Sequence, residues 1–345
     1  MKLLSIAVPS YNSEAYLSRC LESLLLGGER VEIIVIDDGS KDKTGAIADS
    51  YSAKYPTIIK VIHQENGGHG EGVNQGLLHA TGLYYKVVDS DDLLDPVGYK
   101  KLLDQLEAFQ KNKTLPDLVI ADFVYDRDED GKKSQYVSTF SQYFKPNQMI
   151  TWDNVKDMHT HHLLLMHALF YRRQALLESH TILPKHCFYV DDIFAYKPLP
   201  YCKTIYCLPY TIYLYQIGRP DQSVQEDNFV ARYPMLLTVM KNVFDAYTYE
   251  EIKAMPKGLR RYMVHAIGDL NLTALFAICG GKNDTKKRKA AFQQYFQDLK
   301  KHDLKMYHKV KYFTYYGLIQ WMPYWLKRKI IIYGYHVAVK VAKLG

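Results

Sequence analysis

The sequence predicts an α/β fold, a doubly wound parallel sheet followed by a helical C-terminal extension. Over the first hundred residues, short apolar runs rich in β-branched side chains alternate with helical segments, the order that builds a parallel sheet with right-handed crossovers. Each run stops at a cluster of polar residues. In an open α/β sheet the carboxyl ends of the strands share one edge, and ligands bind in the crevice beyond it. After about residue 228 the pattern turns helical.

Taken in order, residues 3–8 form a strand halted by Pro9, Ser10, Tyr11 and Asn12, and Ser13 is placed to cap a helix over 14–26. Gly27 and Gly28 end that helix. Residues 31–36 are an almost continuous β-branched run, the mark of a strand buried on both faces, and it stops at Asp37, Asp38, Gly39 and Ser40. A helix over 42–54, a strand over 58–62 and a glycine-rich segment over 66–76 follow. In that segment Val73 stands where the third glycine of a dinucleotide fingerprint belongs. It reads instead as a loop that lets backbone approach a ligand and then opens a helix to about residue 79. The next strand carries Tyr84, Tyr85, Val87 and Val88 into Asp89, Ser90, Asp91 and Asp92, and Asp95 with Pro96 starts a helix.

Asp89 and Asp91 flank one small residue, so a tight turn aims both at a common point, where without compensation one would stay protonated. A divalent cation removes that conflict. Mg²⁺ is usually held by one or two carboxylates plus substrate phosphates, which makes a nucleotide diphosphate the expected co-ligand. Tyr11 offers a ring to stack on a planar base, and the Asp37–Asp38 pair offers a carboxylate to a base N–H or a ribose hydroxyl. Singly, each cluster also reads as ordinary structure, a solvated acidic turn at 89–92 and a turn with a left-handed glycine at 37–40. Three clusters at the ends of three strands of one sheet point to one site.

The second half begins with a strand candidate at 115–124, a charged turn at 126–133 and loose alternation over 136–144. His159, His161, His162 and His167 precede or lie in the apolar run 163–171. With no H-E-x-x-H or second cluster beside them, they do not read as a transition-metal site; the resemblance given below implies that they line an acceptor cleft or its rim. Asp191 and Asp192 lie between apolar flanks. A helix starting at Asp191 would bury Ile193 and Phe194 and leave one carboxylate aimed outward, in surroundings that raise its pKa as a general base requires. The same pair also reads as two acids at the positive end of a helix dipole. Residues 204–217 read as strands broken at Pro209, and Arg219, between Gly218 and Pro220, either closes over a diphosphate from a mobile loop or sits in a surface turn.

Composition bounds the rest. A hydrophobic share of 48% in 345 residues supports a well-filled core, and the net charge of +7 is modest, with much of the basic excess after residue 282. The five cysteines form no C-x-x-C pair, which argues against a zinc ribbon or a disulfide framework and for a reducing, cytoplasmic compartment. The first ten residues lack a basic start followed by an apolar run, so no signal peptide is expected. Residues 305–345 are aromatic and basic together, but 312–326 and 330–339 fall short of the roughly 18 to 20 apolar residues a span needs. Trp321, Tyr324 and Trp325 beside Lys327, Arg328 and Lys329 fit a helix lying in the interface of an anionic membrane; the alternative is packing on the catalytic part or a second copy in a homo-oligomer. No nucleic-acid module accompanies these residues.

Four segments together resemble the family 2 glycosyltransferases: S-I-A-V-P-S-Y-N at 5–12, V-I-D-D-G-S-K-D-K-T at 35–44, N-G-G-H-G-E-G-V-N-Q-G at 66–76 and V-D-S-D-D at 88–92. The match is close over the first hundred residues and persists weakly to Y-x-Y-x-I-G-R-x-x-Q-S-V at 213–224. The resemblance implies a GT-A type, Rossmann-like central sheet. On that reading 1–225 is the catalytic domain, with a nucleotide-sugar half at 1–100 and an acceptor half at 101–225, and 226–345 is a helical extension. It implies inverting transfer of a hexosyl or N-acetylhexosaminyl group from a nucleotide-sugar to a hydroxyl of a glycan or lipid-linked acceptor, as in bacterial envelope polysaccharide synthesis. Carried across by motif, Pro9, Tyr11, Asn12, Asp38, Gly68, Asp89, Ser90 and Arg219 form the donor site, with Tyr11 on the base, Asp38 on the base or its ribose, and Asp89 on the ribose. Asp91 ligates Mn²⁺ or Mg²⁺. Uracil is the usual base in this family, so a UDP-sugar is expected.

F-Y-V-D-D at 188–192 resembles the family's E-D motif, whose second carboxylate takes the acceptor proton. Asp191 stands where glutamate is usual, which leaves Asp191 and Asp192 as alternatives, with Asp192 favoured. The Q-x-x-R-W signature of processive members is absent, so one sugar per encounter is expected. Two readings from other classes stand beside the enzyme: a non-catalytic nucleotide-sugar or glycan-binding protein, and a membrane-surface scaffold working through its tail.

Overall fold

The computed structural model describes residues 1–341 apart from 130–131, 159–161, 220–221, 223–224, 282 and 313–314. The chain divides into two compact units, one of residues 1–156 and 164–219, the other of 157–163 and 220–345.

The first unit opens with the predicted alternation. Strands β1 (Leu4–Ser10), β2 (Val31–Asp37), β3 (Ile59–His63) and β4 (Tyr84–Val87) alternate with helices α1 (Leu17–Leu25), α2 (Thr44–Lys54) and α3 (His69–His79). They pair in parallel in the order β3-β2-β1-β4, with Leu4 opposite both Val31 and Tyr84. Every residue of β1 and β4 is buried, as a strand covered on both faces requires. The second half of the unit contributes β5 (Leu93–Leu94), α4 (Pro96–Asn112), β6 (Leu118–Glu129), β7 (Lys132–Ser138), β8 (Met149–Thr151), β9 (Leu169–Arg172), α5 (Arg173–Glu178), α6 (Asp191–Tyr196) and β10 (Thr204–Ile217). β9 runs antiparallel to both β4 and β6 and joins the two halves, so one mixed sheet continues as β4-β9-β6-β10-β5.

Three local expectations are corrected. The charged turn expected over 126–133 is narrower than that: β6 runs to Glu129 and pairs antiparallel with β7 as far as Glu129 opposite Lys132, with Tyr125 facing Tyr136, and residues 130–131 lie outside the described residues. Pro209 does not divide β10 either. The strand stays paired to β6 on both sides of it and absorbs the missing donor in register shifts around Thr211. There the Thr211 carbonyl comes so close to Gly98 that a Cβ would sit 1.8 Å from it, which fixes glycine at the start of α4. Lastly, α1 begins at Leu17 and not at residue 14, and the Ser13 hydroxyl meets Ser90 across the strand ends and does not cap it.

The second unit holds α7 (Glu226–Ala231), α8 (Tyr233–Ala246), α9 (Tyr249–Ala254), α10 (Lys257–Gly280), α11 (Thr285–His302), α12 (Leu304–Tyr312) and α13 (Tyr324–Val341). α10 is its central helix, packed against α8, α11 and α13. Among the described residues it alone is long and apolar enough to cross a membrane, but most of it is buried within the bundle. Thr248 and Glu251 close a capping box at the start of α9. On α13, Arg328 donates to the Cys279 and Gly281 carbonyls at the end of α10, and Phe276 stacks on Tyr335 at 3.7 Å between ring centres.

Candidate active site

The parallel strands all end at one edge, and short hydrogen bonds tie the segments after them together. Asp38 N–H donates to the Ser10 carbonyl at 2.9 Å, Asn12 N–H to Ser40 Oγ at 3.1 Å, and Lys41 N–H to Asn12 Oδ1 at 2.8 Å. The Ser13 and Ser90 hydroxyls meet at 2.7 Å. So the three predicted clusters do converge. Tyr11 stands out from this edge, 51% exposed. Pro9 is buried within β1 against Gly72 of α3, and Ser90 is buried with Ser13, so both support the edge from behind.

Asp38 is buried and its carboxylate is well supplied. It accepts from Gly67 N–H at 2.8 Å, Gly68 N–H at 2.8 Å and Gln64 Nε2 at 2.6 Å, which leaves about one of its four acceptor positions for a ligand. Gly68 is required here: its φ is +82°, and a Cβ would meet the His186 backbone nitrogen at 3.0 Å. The neighbouring Asp37 accepts from Ser40 N–H and from His63, and these bonds outweigh burial and hold it below the ordinary carboxylate pKa.

The turn from Asp89 to Asp92 closes through Asp92 N–H to the Asp89 carbonyl at 2.9 Å. Helix capping, the ordinary reading of this acidity, falls to Asp95, which accepts from Gly98 N–H at 2.7 Å. Asp89 Oδ1 pairs with His69 Nε2 at 2.8 Å. Asp91 pairs with Arg219, whose guanidinium also lies 4.3 Å over the Tyr16 ring. Asp92 accepts from the Tyr213 hydroxyl at 2.6 Å and from Gln216 N–H at 2.8 Å. Burial pushes Asp89 up but His69 overrides it, so Asp89 stays ionised, whereas burial and the Asp89 charge raise Asp91. Burial with the Asp91 and Asp89 charges holds Asp92 well above the usual range. The turn sets three carboxylates against two cationic partners, His69 and Arg219, and ionisation of the third is opposed by burial and by its neighbours.

Sequence reasoning passed over His69 and read His167 only as lining or rim of an acceptor cleft. His69, the first residue of α3, is lowered by burial but raised more by Asp89 and then by Asp191 and Asp91, so it gathers the carboxylates of both halves. His167 does not line a rim. It is 5% exposed, its ring stacked on Tyr215 at 4.2 Å and near Tyr213 at 4.7 Å, and one ligand atom each from His167, Asp89 and Asp92 lie within 4.8 Å of one another. Burial pushes its pKa down to about 3, so the imidazole is neutral. Its Nδ1 is buried without a hydrogen-bond partner. An orphaned imidazole facing two carboxylates fits a divalent cation. Beneath them the fully buried Lys86 donates to the carbonyls of Met166 and His167, both at 2.7 Å, and burial lowers its pKa far below the ordinary lysine value. His159 and His161 lie outside the described residues, as do Pro220 and Asp221, and His162 falls in the second unit.

Asp191 opens α6 as the sequence predicts, with Ile193 and Phe194 buried. Burial raises Asp191, partly offset by His69; burial and the Asp191 charge raise Asp192 well above the usual range. Among the described residues no hydrogen bond or ion pair engages the partly exposed Asp192 carboxyl. Tyr189, just before it, is held at φ 64°, a costly conformation for an aromatic residue.

Residues 5–176 match the family described as Glycosyl transferase family 2. The chain carries a family 2 glycosyl transferase domain. It is 40% identical over 109 residues to the uncharacterized glycosyltransferase EpsJ of Bacillus subtilis (strain 168), covering 31% of each chain. It is 35% identical over 139 residues to the glycosyltransferase GlyG of Streptococcus pneumoniae serotype 4, 40% of this chain and 44% of GlyG. To the minor teichoic acid biosynthesis protein GgaB of Bacillus subtilis it is 34% identical over 118 residues, 33% of this chain and 13% of GgaB. The matches thus span less than half of each of these relatives. Among solved structures, S. aureus TarS 1-349 in complex with UDP-GlcNAc aligns with a TM-score of 0.62 at 18% identity, over 97% of this chain and 92% of that one. The mannosyltransferase PcManGT from Pyrobaculum calidifontis, in complex with GDP-Man and Mn²⁺, aligns at 0.52 and 15% identity, over 99% and 86%. At these identities the likeness is one of fold. The family 2 domain here has the expected GT-A architecture, and a helical part follows it.

Proposed function

We propose that this chain is an inverting glycosyltransferase that moves a hexosyl or N-acetylhexosaminyl group from a UDP-sugar to a hydroxyl of a glycan or lipid-linked acceptor. The observation that carries the reading is the Asp192 carboxyl, without a hydrogen bond or ion pair among the described residues and held above its ordinary pKa, in a unit whose Asp89–Asp92 turn sets three carboxylates against two cationic partners, His69 and Arg219. The family membership of residues 5–176 supports the reaction class, and the nucleotide-sugars bound by TarS and PcManGT support the donor class.

Tyr11 stacks on the base, and Asp38, through its remaining acceptor position and the Gly67–Gly68 loop it holds, fixes the base or ribose. Asn12 and Asp89 border the ribose. Asp91 and its neighbours on the turn would hold Mn²⁺ or Mg²⁺, which when bound supplies positive charge to the leaving diphosphate. Asp192 takes the proton from the acceptor hydroxyl, whose oxygen attacks the anomeric carbon opposite the nucleotide as the bond to the diphosphate oxygen breaks. Arg219 leaves Asp91 to meet the developing charge. In the test, UDP-sugars are supplied with candidate acceptors. Wild type releases UDP and product of inverted configuration, whereas Asp192→Asn binds UDP normally and turns nothing over. Near wild-type turnover by Asp192→Asn would sink the base assignment, and UDP binding without turnover in wild type would favour a binding protein.

Residues 1–225 are the proposed catalytic domain and 226–345 its extension, acting at the cytoplasmic face of the cell membrane. Trp321 is 85% and Trp325 61% exposed, and Trp325, Lys329 and Tyr333 recur every four residues as one exposed stripe of α13. That pattern of aromatic and basic side chains suits an anionic lipid surface. Co-sedimentation with phosphatidylglycerol vesicles should fall severalfold for Trp321→Ala/Trp325→Ala; unchanged sedimentation would remove the membrane from this account.

A further inference from the structure

We infer that His167 is a metal ligand, forming with Asp89 and Asp92 a mixed nitrogen and oxygen site, on the buried side of the Asp89–Asp92 turn, that takes Mn²⁺ in preference to Mg²⁺. This rests on the donor-site reading above and adds to it the ligand set and the class of ion.

Three features make the group a built site. Its ligand atoms are already gathered within 4.8 Å, close enough for small adjustments to bring them onto one ion. Neither ring nitrogen of His167 makes a hydrogen bond among the described residues, and Nδ1 is sealed from solvent, so the imidazole has nothing else to bind. The ligands are held from behind, as metal ligands usually are. Tyr213 and Gln216 N–H orient Asp92, and His69 orients Asp89. Tyr213 and Tyr215 clamp the His167 ring while Lys86 holds the His167 carbonyl.

Lys86 does not do the ion's work. Its ammonium points at the carbonyls of Met166, His167 and Leu169 and forms no ion pair with Asp89 or Asp92. A cation is left to compensate the Asp89 and Asp92 carboxylates that the turn brings together. Asp91, paired here with Arg219, completes the set from the donor side once Arg219 turns to the diphosphate as proposed above. An imidazole ligand selects among ions. Mg²⁺ keeps oxygen ligands and its own waters; the first-row divalent ions add nitrogen ligands more easily, and Mn²⁺, at the weak end of that series, still suits the two carboxylates.

The test is pulsed electron paramagnetic resonance of the full chain loaded with Mn²⁺ and UDP. Nitrogen-14 modulation of the Mn²⁺ signal is expected in wild type, retained in His69→Gln and lost in His167→Gln. In His167→Gln the Mn²⁺ affinity should fall by about tenfold or more, while Mg²⁺ affinity changes much less. The wild-type spectrum decides even if a variant fails to fold. Mn²⁺ bound with UDP but showing no nitrogen coupling would overturn this inference and leave the donor-site reading standing. Modulation that survives in folded His167→Gln would also overturn it. Absence of both Mn²⁺ and UDP binding would remove the donor-site reading itself, and this inference with it.

Discussion

Two strand ends of the same sheet carry adjacent carboxylates, and they are built to opposite purposes. At the end of β2, Asp38 meets three donors, two of them backbone N–H groups of one loop, and Asp37 meets Ser40 N–H and His63. At the end of β4, three carboxylates share His69, Arg219, Tyr213 and one backbone N–H, and two of the three are held above the ordinary pKa by burial and by one another. Acidity alone does not distinguish them. The balance between carboxylates and donors does: the set with a donor for each carboxylate fixes a loop, and the set with more carboxylates than cationic partners is where the proposed cation would bind.

That contrast can be broken most severely on the unmatched side. Asp91→Asn should reduce transfer by roughly a hundredfold or more and abolish metal-dependent UDP binding in calorimetry. Asp192→Asn should lose about 10² to 10⁴ in turnover with UDP affinity kept.

The pH profile sharpens the same point. In the proposed mechanism Asp192 acts deprotonated, and burial with the Asp191 charge raises its pKa, so kcat should rise with pH through a midpoint above the ordinary carboxylate value of about 4. Asp191→Asn removes the neighbouring negative charge and should move that midpoint down. A midpoint that stays in place would detach the acid limb from this pair.

Smaller effects belong to the matched side. Asp38→Asn turns an amide towards the Gly67 and Gly68 N–H groups and should cost roughly 2–4 kcal/mol of stability, seen as a lower Tm, with Mn²⁺ binding by the folded protein kept. Ser13→Ala removes the hydroxyl that meets Ser90 and should cost about 1 kcal/mol. If Asp38→Asn abolished Mn²⁺ binding while leaving Tm unchanged, the division of labour would be wrong.

Much of this was legible in the sequence where local pattern and tertiary role agree. The β-branched run of β2, the closed turn at Asp89–Asp92, the Asp95 cap and the helix opening at Asp191 each follow from a few adjacent residues. Local reasoning fails where the partner is remote. Ser13 looks like a cap, yet its hydroxyl serves Ser90, 77 positions away. Pro209 looks like a break, yet β6 carries β10 past it. His167 reaches Asp89 and Asp92 only because β9 inserts antiparallel beside β4, a pairing no periodicity announces. One signal was present and passed over: Lys86, a charge inside an apolar strand just before an acidic turn, marks a place where the core must supply partners for a polar group.

The measurement that tests the central claim most directly is calorimetric titration of the full chain with UDP, with and without Mn²⁺, with GDP and dTDP as controls. The account predicts UDP-selective binding that strengthens markedly with Mn²⁺ and loses that metal dependence in Asp91→Asn. UDP binding of equal strength with and without the ion would contradict it, because the unmatched carboxylates at the end of β4 would then have no cation to meet.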